Sequence, residues 1–241
     1  MNRVFHLSLR NDHRVRAFTL IELMMIVAIT AILVALLLPV LARAKKSVAR
    51  AQCANNLHQL SIAINSYADD HGDQLPGPGW QGFYAVYSAT NARFFLSRFI
   101  APYLSLPAPS DTVEGVPAAV CPASARITHQ TLDGPLSIKQ EQPISYIVSI
   151  SVTNVSNDVV SRPFGYPYAH IQNNLGNPSV TNEPPKQLKE IRNPSSSMAM
   201  VDTDQQNAVS LATYYPYLPP TPAHGAVRNN LFFDWHVEAV K

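Results

Sequence analysis

Charge is scarce in this chain: aspartate, glutamate, lysine and arginine make up 14% of it, against roughly a quarter in an average soluble domain. Proline is plentiful, at 20 residues. A coiled coil or helical bundle needs charged flanks beside its apolar seam and few helix breakers, so both are excluded. The net charge is +2, and Arg3, Arg10, Arg14 and Arg16 against Asp12 hold +3 of it, so the residues after Ala17 sum to −1. Nucleic-acid binding rests on a basic stripe that neutralises phosphates, and the bulk of the chain has none. Cysteine is nearly absent. Cys53 and Cys121 stand apart rather than in a CxxC pair, which excludes a cysteine-based zinc centre and leaves one disulfide or two free thiols. GxSxG, HExxH, the P-loop and GxGxxG are all missing, so no residue is assigned a catalytic role.

What is present is a long apolar run. Leu23 to Ala42 carries no charge, and 20 residues at 1.5 Å each span about 30 Å, the thickness of a bilayer's hydrocarbon core. A cleavable secretory signal is one explanation, since the leader is basic and Ala42-Arg43-Ala44 has the A-x-A form. Its apolar stretch, however, should be only 7 to 15 residues long, and Glu22 is out of place at its start. An ordinary membrane anchor is another. An ionised carboxylate at membrane depth costs on the order of 2.5 to 3.5 kcal/mol and calls for a partner. The run offers no cation. A cut before Phe18 would create one, the new α-amine, at the same membrane end.

Arg16-Ala17-Phe18-Thr19-Leu20-Ile21-Glu22-Leu23, followed by the unbroken apolar run with Pro39, resembles the N-terminus of type IV pilins and of the pseudopilins of type II secretion. The resemblance implies a prepilin peptidase that cuts between Ala17 and Phe18 and methylates the Phe18 nitrogen. It implies that Glu22 pairs with the terminal amine of a neighbouring subunit during filament assembly. It further implies inner-membrane assembly machinery and other pilin subunits as partners, besides the lipid bilayer. The family usually has glycine where this chain has Ala17. Arg43, Lys45, Lys46 and Arg50 oppose the basic leader, so charge does not set orientation; the resemblance places the leader in the cytoplasm and the remainder in the periplasm of a bacterial inner-membrane protein, later a filament.

Beyond the bilayer, Cys53, Leu57, Leu60, Ile64 and Tyr67 fall on one helical stripe. Gly72 and Pro76 end it. One helix is expected from Phe18 to His71, about 80 Å long, bent at Pro39 where a backbone hydrogen bond is lost. The organisation expected is a leader at 1–17, a transmembrane or filament-core helix at 18–42, an amphipathic spine at 43–72 and a globular head at 73–241. All prolines but Pro39 lie after Leu75, and that composition favours loops with short strands. Ile144 to Val152 alternates as a half-buried strand. Met198 to Val201 reads as a short buried strand, and Asn230 to Phe233 with His236 to Val240 as a hairpin turning at Asp234-Trp235. Phe94 to Leu104 reads as a short amphipathic helix within a stretch, Gly77 to Ser137, that otherwise gives few elements. The fold class is α+β, a long helix packed on a small antiparallel sheet.

A narrower resemblance lies in the head. "CANNLHQLSIAINSYADDHGDQLP", "VCPAS", "SYIV" and "HGAVRNNLFFDWHVEAVK" are similar to pilin-like proteins of planctomycetes and verrucomicrobia, which end in His, nine residues, then Asp-Gly. His224 and Asp234 keep that spacing, with Trp235 in place of the glycine. A two-residue turn needs positive φ there, so a wider or differently bent turn is expected.

With the head outside the cytoplasm, Cys53 and Cys121 are expected to form a disulfide tying loop to spine. Asp202, Asp204, His224, Asp234 and His236 would give a mixed nitrogen and oxygen metal site if the hairpin lies beside the Met198 strand. Hydrogen-bonding and turn roles compete with that account, and no other cofactor is expected. Asp69, Asp70, His71 and Asp73 lack the DxDxDG calcium spacing and suit solvated helix-end charges. Trp80, Tyr84, Tyr214, Tyr215 and Tyr217 would line a carbohydrate or protein contact surface, or pack internally. The alternative to a filament subunit is a membrane-anchored envelope protein whose head binds a ligand or polysaccharide.

Overall fold

The structure, a computed structural model, describes residues 18–90, 95–132, 136, 143–153, 156–167 and 182–241. The chain forms two compact units, Met1–Lys45 and Lys46–Lys241. Helix α1, Leu20–Asp70, contributes to both. Thr19 immediately precedes it, and it ends because Gly72 adopts φ +64°. That left-handed residue lets the Asp73 N–H bond the Ala68 carbonyl at 2.9 Å, the closing bond of a Schellman turn. Pro39 lies inside α1 without ending it.

In the first unit every described residue from Phe18 to Lys45 is exposed, including the whole apolar run. Among the described residues this is the one helix long and apolar enough to cross a membrane. An uncovered surface of that size belongs in lipid or against other apolar helices.

In the second unit the spine stripe is buried as its spacing requires: Cys53, Leu57, Leu60 and Ile64 are fully buried, and Tyr67 is half-buried. After α1 come strands β1 (Gly82–Tyr84) and β2 (Val86–Tyr87), helix α2 (Leu96–Ile100), strand β3 (Glu114–Gly115) and helix α3 (Pro122–Thr128). Strands β4 (Ile144–Val148), β5 (Ser151–Thr153), β6 (Val159–Ser161), β7 (Met198–Asp202), β8 (Arg228–Phe232) and β9 (Val237–Val240) complete the chain. The described residues of the stretch from Gly77 to Ser137, which offered few elements in the sequence, thus hold three short strands and two short α-helices, besides 3-10 turns. A 3-10 turn at Ala101–Leu104 extends α2, in the place of the expected helix from Phe94; Phe94 itself lies outside the described residues.

Five strands form one antiparallel sheet in the order β1-β4-β7-β8-β9. β2 pairs with β3 and β5 with β6 as separate ribbons. The α1 stripe packs with Phe83, Tyr146, Val148, Met200 and Leu231 in one core cluster. A second cluster gathers Tyr84, Val86, Ile147 and Val201 with Leu211 and Leu218. A 3-10 segment, Val209–Tyr217, supplies Leu211.

The structure corrects one expectation and gives another its detail. Ile144 to Val152 is two strands rather than one, broken at Ser149-Ile150, and β4 is buried at all five positions. Its serine face is covered because β4 is an inner strand with a core cluster on each side, which alternation alone does not reveal. The terminal hairpin is present, but its loop is Phe233–Trp235. Phe232 N–H donates to the His236 carbonyl at 3.0 Å, Trp235 N–H donates to the Phe232 carbonyl at 2.9 Å, and Trp235 has φ +71°. That is a three-residue loop closed by a left-handed residue. Its wider turn still places tryptophan where glycine costs least.

Cys53 on α1 and Cys121, which immediately precedes α3, form a disulfide across 68 residues of chain, with Cα atoms 4.9 Å apart. Loop-closure entropy for that length corresponds to about 4 kcal/mol. Paired replacement of both cysteines by alanine should lower the unfolding free energy of the full chain in detergent micelles by roughly that amount. Urea unfolding followed by tryptophan emission measures it, and a loss below about 1 kcal/mol would show that the closed loop contributes little.

Candidate functional site

Two places carry chemistry. The first is the start of α1. Thr19 N–H and its hydroxyl both donate to Glu22 Oε2, at 2.9 and 2.7 Å, and Glu22 N–H donates to Thr19 Oγ1 at 3.3 Å. This is a reciprocal capping box, in which each side chain satisfies a backbone N–H that the helix start leaves open. Its sequence signature, Thr-x-x-Glu ahead of an apolar run, is legible in residues 19–22, yet attention to a cation as the partner of Glu22 hides it. Thr19 is therefore a residue that the sequence reasoning missed. The box fixes the carboxylate at the positive end of the helix dipole, where an anion is stabilised. Ala17 lies outside the described residues; Phe18 is exposed beside the box.

The second place is the buried joint of the head. Of the five candidate metal ligands, the structure brings Asp202 and His224 together in this joint, with Oδ2 and Nε2 3.3 Å apart and both side chains nearly enclosed. The same nitrogen is 3.6 Å from Cys121 Sγ. Asp202 Oδ2 also accepts the backbone and side-chain N–H groups of Asn229, at 2.8 and 2.9 Å. Asp204 is taken by Arg228, whose Nε and Nη2 donate at 2.6 and 3.0 Å. Those bonds hold the guanidinium further above its usual range. Asp234 bonds His236, two residues away in the exposed hairpin loop. The five residues thus lie in three separate places: Asp202 with His224, Asp234 with His236, and Asp204 with Arg228, which is not one of the five. The three metal-capable side chains that do cluster among the described residues are Cys53, Cys121 and His224. Both sulfurs are spent in the disulfide.

This joint is a structural latch. Asp202 ends β7, Asn229 lies on β8, His224 comes from the Pro-rich loop between them, and the disulfide reaches α1. The His-x9-Asp spacing places His224 in the latch and Asp234 in the hairpin loop ten residues on. Arg228 and Asn229 could not be singled out in the sequence, since nothing local marks them as partners of Asp204 and Asp202.

Several of the other candidates have local partners. Asp70 accepts the Tyr103 hydroxyl at 2.9 Å, Asp69 accepts an N–H of Asn65, and His71 stacks on Tyr67. Trp80 stacks on Tyr84 with ring centres 5.0 Å apart and lies 5.2 Å from Tyr214. Burial pushes the Tyr84 hydroxyl far up from its ordinary value. Trp80 and Tyr214 also border a cavity of about 530 Å³ with Arg162 and Tyr166.

Comparison with known proteins adds one match. Residues 12–38 fit a family model described as a prokaryotic N-terminal methylation motif. It covers the basic residues from Arg14, the capping box and most of the apolar run, and marks the N-terminus as a prepilin-type segment. No curated protein and no solved structure matches the chain.

Replacing His224 by alanine should leave the disulfide intact by mass and lower stability by about 1 to 3 kcal/mol, the cost of depriving a buried partner. Urea unfolding checks this; a change under about 0.5 kcal/mol would remove the latch role.

Proposed function

We propose that this chain is the precursor of a filament subunit of the type IV pilin or type II pseudopilin class, acting mechanically and without catalysis. The N-terminal methylation motif and the exposed apolar helix support a membrane-anchored pilin or pseudopilin precursor. The finer reading is that a prepilin peptidase cuts between Ala17 and Phe18, the Phe18 nitrogen is methylated, and assembly machinery in the bacterial inner membrane draws subunits into a filament. One observation carries it: a bilayer-length apolar helix opens on an acid, Glu22, inside that motif.

The capping box suggests how the acid is managed. In the bilayer the Thr19 donors satisfy one carboxylate oxygen locally, lowering the cost of burying it. An ammonium group would then offer what the uncharged Thr19 donors do not, a full opposite charge beside the carboxylate where the low dielectric strengthens the attraction. The amine of a neighbouring processed subunit would therefore outcompete the Thr19 hydroxyl, and the apolar helices would meet in a fixed axial register. The head rides outside as cargo or surface.

Glu22→Gln keeps a polar cap at nearly the same size while removing the charge. Membrane insertion should be unchanged, and recovery in a sheared filament fraction should fall at least about tenfold, the factor that loss of roughly 1.4 kcal/mol at one contact gives. Recovery equal to the unsubstituted chain would count against the pairing.

A further inference from the structure

The start of the head carries a cationic cavity that the filament reading does not use. It measures about 570 Å³ and is bordered by Lys46 and Arg50 of α1 and by Arg126 and Ile127 of α3. Ala49 and Ala123, both buried, give it an apolar floor. All three cations are exposed, and none has an ion pair among the described residues. Ile127 is exposed at 44%. No acid occurs from Arg43 to Ala68, from Val116 to Leu132 or from Leu218 to Val227, so none of the three segments that line the cavity carries a counter-charge; the third, Ala223–Gly225, brings His224, whose Nε2 is turned to the buried Asp202. Glu238 borders a separate cavity that shares Arg50.

We propose that this face docks on the lipid surface, with Lys46, Arg50 and Arg126 holding the phosphate of an anionic phospholipid headgroup and Ile127 entering the interface. The inference rests on the apolar run being a membrane anchor. Lys46 lies four residues after Ala42, and four residues span at most about 14 Å whatever path they take. The cavity is therefore tethered within reach of the headgroup layer, where anionic lipids attract lysine and arginine and the attraction fades over roughly 10 Å. Cations above an apolar floor fit a lipid phosphate with its glycerol, whose chemistry has the same order of charge then hydrocarbon. A subunit docked in this way keeps its head against the membrane until assembly draws it out.

The test uses the full chain in nanodiscs of phosphatidylcholine alone, or with phosphatidylglycerol at roughly one lipid in four. Co-migration with both discs reports the anchor separately; its failure would overturn the anchor and this docking together. Amide exchange over Ala123–Thr128 should slow at least about tenfold in the phosphatidylglycerol discs, with no change in phosphatidylcholine. Arg126→Ala and Lys46→Ala should each reduce that protection while exchange along the buried stripe at Leu57 and Ile64 stays as it was, showing the head still folded. Equal protection in both discs would overturn the proposal. So would protection that grows with the number of chains per disc, which marks a second copy, or protection produced in phosphatidylcholine discs by inorganic phosphate, which marks a small-anion site.

Discussion

A carboxylate at the entrance of a bilayer-length apolar helix must find a hydrogen-bonding or charged partner, and that requirement organises the N-terminal segment of this protein. Thr19 meets it locally through the capping box. The Thr19 donors carry no net charge, so they leave the charge of the carboxylate uncancelled, whereas an ammonium group would cancel it. The proposed assembly role would draw on that difference: the acid is tolerable when alone and would be better satisfied by the amine of a processed neighbour. The apolar surface beyond Glu22 works the same way. Every described residue from Phe18 to Lys45 is uncovered within the single chain, so lipid or other copies of the helix must supply the contacts that burial elsewhere gives.

The head solves a different problem, holding short strands and many loops on one helix. Its strands run from two to five residues, too short to be stable alone, and its loops are rich in proline. The α1 stripe supplies the common apolar surface. The Cys53–Cys121 bridge fixes the loop before α3 to that stripe, and the Asp202, His224 and Asn229 contacts tie β7, β8 and the loop between them to the same point. Asp202 Oδ1 has no hydrogen-bond partner among the described residues, an added cost that the neighbouring bonds must offset.

Much of this was legible in the sequence where a periodic pattern is enforced by one large partner. The spine stripe is set by spacing at Cys53, Leu57, Leu60 and Ile64. Met198 to Val201 and the terminal hairpin show as short apolar runs beside turn residues. Gly82–Tyr84 was not legible, because a three-residue strand owes its state to pairing with β4 rather than to its own residues. The full burial of β4 was missed for a related reason: Ser145 and Ile147 read as a solvent-facing edge until the second cluster is known. The metal expectation drew five residues together on the condition that the hairpin lies beside the Met198 strand; it does, but Arg228 and Asn229, ordinary in sequence, hold two of the acids. Thr19 is the opposite case, a partner written in plain spacing beside the residue it serves.

The central claim is that Glu22 awaits a positive chain end made by processing. Mass spectrometry of the N-terminal peptide of the native membrane-extracted protein tests it most directly. The account predicts a chain beginning at N-methylated Phe18. A chain beginning at Met1, or one cut after Ala44 and beginning at Lys45, would contradict it, since in neither case would an α-amine lie beside that carboxylate.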